Sequence, residues 1–270
     1  MVTKVNKSKA AFQPLLREFS FLFALSQTYS TSMSVNHSKL NEILKISRNL
    51  RDQNLRTLAV FDLDSTLFNV SYRTQKILHE YAEKFQKTEL KNIQIQPEDW
   101  GIKEALYRAG YSIEKDHDFF IELRDFWRER FFSNDYIHYD IPYPGAIAYL
   151  IELAATGCEI KYLTGREQTK MAKGSEEVLK KWGFPLKPGQ LILKPERTLD
   201  DALFKNDWFA QLDKHNYQKI YFFENEPVNI NAVYKSCPEV EIIFIESTHA
   251  RKEEVTVPIP RIKHYVRESC

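Results

Sequence analysis

The strongest constraint on the fold is an alternation that fills the second half of the chain. From Pro144 onward, helical stretches take turns with short apolar runs. A helix from Pro144 to Ala155 leads to a strand at Glu159–Leu163, and a helix at Gln168–Trp182 leads to a strand at Gln190–Leu193. Asp200–His215, Lys219–Phe223, Val228–Ser236 and Val240–Ile245 repeat the pattern twice more. Gly157 and Gly183 stand where helices end, as left-handed closing positions require. Strand and helix in this rhythm predict a parallel sheet covered on both faces, a doubly wound α/β fold.

The stretch Thr57–Leu67 adds one more strand and the first candidate chemistry. Leu58, Ala59, Val60 and Phe61 form a continuous apolar run, the signature of a strand buried on both faces. It ends in Asp62 and Asp64, followed by Ser65 and Thr66. Ligands of such sheets bind at the carboxyl ends of the strands. Residues alternate sides along a strand, so the two aspartates leave it on one side. Two close like charges call for a cation, and Mg²⁺ suits an all-oxygen site. Asp-x-Asp-Ser-Thr is equally good turn chemistry, so these residues alone leave both uses open.

From Asn69 to Ile141 the pattern is helical. Ile77, Leu78, Tyr81 and Phe85 mark one helix face, Ile102–Ala109 a second helix, and Asp116–Phe132 a third rich in aromatics. This is too long for an ordinary connection between strands, and an all-helical insert beside a site suits a lid. The aromatic stripe is read as the insert's own core, because helical spacing is what burial needs. The expected division is an extension over residues 1–55, a core over 56–68 and 142–250, a helical cap over 69–141, and a tail over 251–270. Within the extension, Lys4, Lys7, Lys9 and Arg17 precede an apolar patch, Phe19 to Leu25, read as an amphipathic or loose segment rather than a leader. Ser38–Arg51 has the spacing of a helix packed on the core.

A chain of 270 residues can bury a sizeable core. Its net charge of +1 gives no general call for nucleic acid or an acidic membrane. Cys158, Cys237 and Cys270 are far apart with no CxxC pair, which argues against a zinc site or disulfide framework and suits a reducing, cytoplasmic setting. No run is long enough to span a bilayer.

Three predicted strands end in polar clusters: Asp62/Asp64, Thr164-Gly165-Arg166 and Glu224-Asn225-Glu226. In a parallel sheet these tips share one edge. With Lys194 or Lys205 from the intervening unit, the edge holds carboxylates, a hydroxyl and an ammonium, the parts phosphoryl transfer uses. Arg166 can fork onto phosphate oxygens or pair with a nearby acid. Lys173-Gly174-Ser175 lacks the upstream glycine of a phosphate-binding loop.

The succession Phe-Asp-Leu-Asp-Ser-Thr-Leu, Leu-Thr-Gly-Arg, Phe-Lys and Phe-Phe-Glu-Asn-Glu resembles the haloacid dehalogenase superfamily of phosphohydrolases over about residues 57 to 250. The resemblance implies a Rossmann-like core, a cap at the position of the insert, Mg²⁺ dependence and hydrolysis of phosphate esters. It assigns Asp62 as nucleophile, Asp64 as general acid/base and Thr164 as phosphate-binding hydroxyl, with Gly165, Arg166 and Lys205 beside the phosphate. The Asp-x-x-x-Lys pattern favours Lys205 over Lys194. Asp62, Asp64, Glu224 and Asn225 match the metal-binding positions. Glu224-Asn225 departs from the usual acidic pair, so contact with the metal is direct or through water, and Asn229 or Glu226 can share the task. The expected function is a Mg²⁺-dependent phosphatase acting on a small phosphate ester. The alternative is a module of the same fold that binds a phosphorylated ligand or partner without turnover.

Overall fold

The computed structural model describes residues 38–267. The Phe19–Leu25 patch, the basic residues ahead of it and Cys270 lie outside the described residues. Six parallel strands form one sheet in the order β5-β4-β1-β6-β7-β8. They are β1 (Thr57–Phe61), β4 (Glu159–Glu167), β5 (Leu191–Lys194), β6 (Lys219–Glu224), β7 (Val240–Ile245) and β8 (Arg261–Ile262). A helix over residues 38–52, α1, precedes them.

β1 lies inside the sheet because all five of its residues are buried, and only a position covered on both faces accepts such a run. Its residues alternate between two cores. Ala59 and Phe61 join Leu40, Ile43 and Leu44 of α1, Tyr149 and Leu150 of α6 (Ala146–Ala155), and Val178 and Leu179 of α7 (Gln168–Trp182). Leu58 and Val60 join Phe209 of α8 (Asp201–Gln211) and Ile230 and Val233 of α9 (Pro227–Ser236) on the other face. The sheet is therefore doubly covered, as the alternation predicts.

The helical insert hangs on a two-residue antiparallel ribbon, β2 (Phe68–Asn69) with β3 (Ile141–Pro142). Between them come α2 (Ser71–Lys84), α3 (Ile102–Arg108), α4 (Ile113–Phe131) and α5 (Asn134–Ile137). Tyr81 of α2 meets Phe126 of α4 edge to face, with centroids 5.2 Å apart. α5 leans on α7 where a glycine permits it: a Cβ at Gly174 would lie 2.8 Å from the Asn134 carbonyl oxygen. The Gly174 amide donates to Asn134 Oδ1 at 2.7 Å.

Residues 261–265 are part of the core. The sequence pattern ends its strands at Ile245, but β8 adds a parallel strand beyond β7, and Tyr265 is buried against Phe61, Tyr149 and Phe223. The Tyr265 amide donates to the Pro144 carbonyl at 2.9 Å. Gly145, at φ 79, lets this segment pass, since a Cβ there would meet the Tyr265 and Val266 backbone at 2.5 Å.

Candidate active site

The carboxyl ends of β1, β4 and β6 open into one cavity of about 500 Å³. Asp62, Asp64, Thr164, Gly165, Arg166, Lys205, Glu224 and Asn225 all line it, as do Lys194, Glu226 and Asn229. β1 delivers Asp62 and a tight turn follows. Leu67 and Phe68 donate to the Leu63 carbonyl, and Ser65 sits at φ 60. That left-handed conformation suits a small residue.

Asp62 is almost fully buried. Its Oδ1 accepts from Lys205 Nζ at 2.6 Å, and the same ammonium donates to Glu224 Oε2 at 2.6 Å. Lys205 comes from α8, whose start is fixed by Asp200 accepting the Leu203 amide. Burial pushes the Asp62 carboxyl up to about 7, with Glu224 and Asp64 adding to the rise and Lys205 opposing it. Lys194 is used elsewhere. Its ammonium binds Asp201 Oδ1 at 2.5 Å and the Leu199 carbonyl at 2.8 Å, pinning the loop into α8. Asp201 in turn fills the space over Gly165, where a Cβ would lie 2.6 Å from its carboxylate.

Asp64 lies in a different environment. Its Oδ1 accepts from Arg73 at 2.9 Å and from Arg166 at 2.5 Å and 3.1 Å. Both guanidinium groups also bind Asp140, and Arg166 binds Ser175 Oγ at 3.1 Å. Burial favours the neutral acid, but the charges of Arg166 and Arg73 outweigh it and hold the Asp64 carboxyl well below the usual range. The two guanidinium groups thus favour the ionised carboxylate at this position. Arg166 thus pairs with both aspartates and donates to the serine, all within reach of the cavity it lines. Thr164 is buried on the cavity wall, its Oγ1 accepting from the Arg166 amide at 3.3 Å.

The expected metal ligands at the tip of β6 have other partners. Glu224 Oε1 accepts the Asn225 and Glu226 amides, and Oε2 accepts Lys205 and Asn229. Asn225 Oδ1 accepts from Thr66 at 2.9 Å, and its Nδ2 donates to the Thr248 carbonyl at 2.7 Å. Both side chains thus brace the site. Glu226 differs: Oε2 accepts the Ala250 amide, while Oε1 is buried without a partner. Burial pushes its carboxyl up.

Among the described residues no three His, Cys, Asp or Glu side chains cluster as a ready metal site. The donor chemistry nonetheless fits a hard cation in part. Three carboxylates, Asp62, Glu224 and Glu226, face one ammonium, an excess of negative charge that a divalent ion balances.

Sequence reasoning gave no role in the site to Arg73, Asp140, Thr66 or Ser175. Arg73 carried one signal: it stands four residues before Ile77 and eight before Tyr81, on the buried stripe of α2. A charge at a core position implies a buried partner.

No family model matches this chain. No curated protein matches it either. Solved structures similar to it include a HAD-superfamily hydrolase from Ehrlichia chaffeensis, 13% identical, with 78% of this chain and 93% of that one covered and a TM-score of 0.45. Protein Tyrosine Kinase A of Mycobacterium tuberculosis is 12% identical, with coverage of 77% and 93% and a TM-score of 0.46. A class C acid phosphatase from Bacillus anthracis is 13% identical, with coverage of 78% and 77% and a TM-score of 0.41. These values are low, and a shared fold does not fix an activity, so function has to come from the side chains described above.

Proposed function

We propose that this protein is a phosphomonoesterase of the haloacid dehalogenase type with Asp62 as its nucleophile. The observation that carries this reading is the buried Lys205 ammonium joined to both Asp62 and Glu224 at 2.6 Å. It orients one carboxylate at a strand tip and supplies positive charge where a phosphoryl group would arrive. In the first step an Asp62 oxygen bonds to phosphorus as the bond to the leaving oxygen breaks, and that oxygen takes a proton from solvent. In the second, water attacks phosphorus, releasing phosphate and freeing Asp62. Thr164 and the backbone at Gly165 hold phosphate oxygens. Asp64, kept ionised, orients the attacking water by accepting its hydrogen bond, and the proton that water loses stays with the released phosphate.

A hard divalent cation such as Mg²⁺ would be held by Asp62, the Asp64 main-chain carbonyl and Glu226, and would neutralise charge on the transferring group. Glu224 then acts as a positioning residue for Lys205. Adding Mg²⁺ should raise the melting temperature of the wild-type protein, and Glu226→Gln should remove most of that rise. An undiminished rise in the variant contradicts the assignment of Glu226.

Replacing Asp62 by Asn should cut turnover of an aryl phosphate by about a thousandfold or more while the circular dichroism spectrum is unchanged. Wild-type rates in a folded Asp62→Asn protein would exclude the mechanism. The clamp on Asp64 favours one alternative, a binding module of this fold without turnover. Multiple turnovers at saturating substrate separate the two.

A further inference from the structure

The same cavity has a second half, built by the insert. α4 lines it with Arg124, Trp127, Arg128 and Phe131, positions that share one helix face. Phe132, just past the helix, continues the lining. The aromatic stripe is therefore divided. Leu123 and Phe126 turn into the insert's core, and Phe131 is shared, buried with them under the Arg73 guanidinium while still lining the cavity; Trp127 and Phe132, only partly buried, complete the wall on the side that holds Asp62. The rings are braced against one another, with centroids 4.6 Å apart for Trp127 and Phe131 and 5.1 Å for Phe131 and Phe132. Trp127 Nε1 donates to Thr74 Oγ1 at 3.3 Å, which fixes the indole. Such a preset ring wall takes a flat ring by stacking.

Two cations flank this wall. Arg197, from the loop before α8, places its guanidinium 4.7 Å from the centre of the Phe132 ring. Arg128 sits one residue from Trp127. Arg124 is neutralised by Asp125, but neither Arg128 nor Arg197 has an ion pair or side-chain hydrogen bond among the described residues. A solvated surface explains one such arginine. Two lining one cavity, beside a cluster of packed rings, are arranged to meet an anion.

We infer that the leaving group of the substrate carries both a flat aromatic ring and a further negative charge, making nucleoside phosphates with a second phosphate the substrate class. The inference rests on the phosphomonoesterase reading, with the reacting phosphate at Asp62 and Lys205. The ring stacks on the Trp127–Phe132 wall and the second phosphate lies between Arg128 and Arg197. A cavity of about 500 Å³ falls within the range of small-molecule sites.

The test uses the full chain carrying Asp62→Asn, so that binding is measured without turnover, alongside aryl phosphate hydrolysis by the wild type. Four probes are titrated by calorimetry: adenosine bisphosphate, adenosine monophosphate, ribose bisphosphate and inorganic phosphate. Adenosine bisphosphate should bind at least about tenfold more tightly than each of the others. Adding Arg128→Ala with Arg197→Ala should bring it to the level of adenosine monophosphate. Both arginines are exposed, so folding is not at risk. Equal binding of the four probes, or a preference that survives the double substitution, overturns the inference. Wild-type turnover of the aryl phosphate without any preference refutes the inference alone. A preference without turnover refutes the phosphatase reading and, with it, the substrate assignment, leaving a site that only binds such nucleotides.

Discussion

Asp62 and Asp64 stand two positions apart, yet burial pushes one carboxyl up while guanidinium groups pull the other down. The difference lies in partners: one ammonium shared with Glu224 for Asp62, two arginines for Asp64. It has a consequence for stability. The Asp62 carboxyl moves from 3.8 to about 7 on folding, so across that window the folded state binds the proton more tightly than the unfolded chain. Its contribution is fully present below the lower value and is lost as pH rises through the upper one. Urea unfolding without divalent cations should show the stability of wild type relative to Asp62→Asn falling by a few kcal/mol between about pH 4 and pH 8. A difference that stays flat across the window contradicts this account of Asp62. At this scale the sequence was partly legible. Aspartates and a hydroxyl at strand tips are visible in any reading. So are Lys205, Glu224 and Arg166, which act on their ionisation; Arg73, the second guanidinium on Asp64, and Asp140, which both guanidinium groups bind, come from the insert and its return, and only the folded chain brings them together.

Elements differ in legibility for a physical reason. β1, β6 and β7 are apolar runs whose burial dictates their state, so the pattern exposes them. β2, β3 and β8 have two residues each, too few to carry a period, and exist because packing holds their neighbours in place. α7 shows how packing decides a residue's worth. Gly174 lies in a motif that resembles a phosphate-binding loop only superficially, and its use is the close approach of α5. Glycine to alanine inside an unencumbered helix gains up to about 1 kcal/mol. Here the added Cβ meets the Asn134 backbone at 2.8 Å. Overpacking of this kind costs about 1–3 kcal/mol, so Gly174→Ala should lower the urea midpoint. A higher midpoint would show that α5 yields freely.

On the scale of the whole molecule, the insert and the sheet meet through charge as well as rings. Arg73, from the first helix of the insert, binds Asp64 at the tip of β1 and Asp140 just before the insert returns to the core. The buried ion cluster therefore spans the neck of the insert and sets α4 over Asp62. The doubly wound sheet was readable from strand and helix rhythm, and so was the helical nature of the insert. Its face toward the cavity was not, because the spacing of a core stripe and of a ligand wall is the same. The proposed phosphatase activity turns on a single bond, between an Asp62 oxygen and phosphorus. The most direct measurement is mass spectrometry of the protein quenched in acid during turnover of an aryl phosphate with Mg²⁺. A phosphoryl group on the peptide containing Asp62, absent from the Asp62→Asn protein, is the predicted result. Turnover with an unmodified Asp62 peptide at every quench time, or a phosphoryl group on another residue, would contradict it.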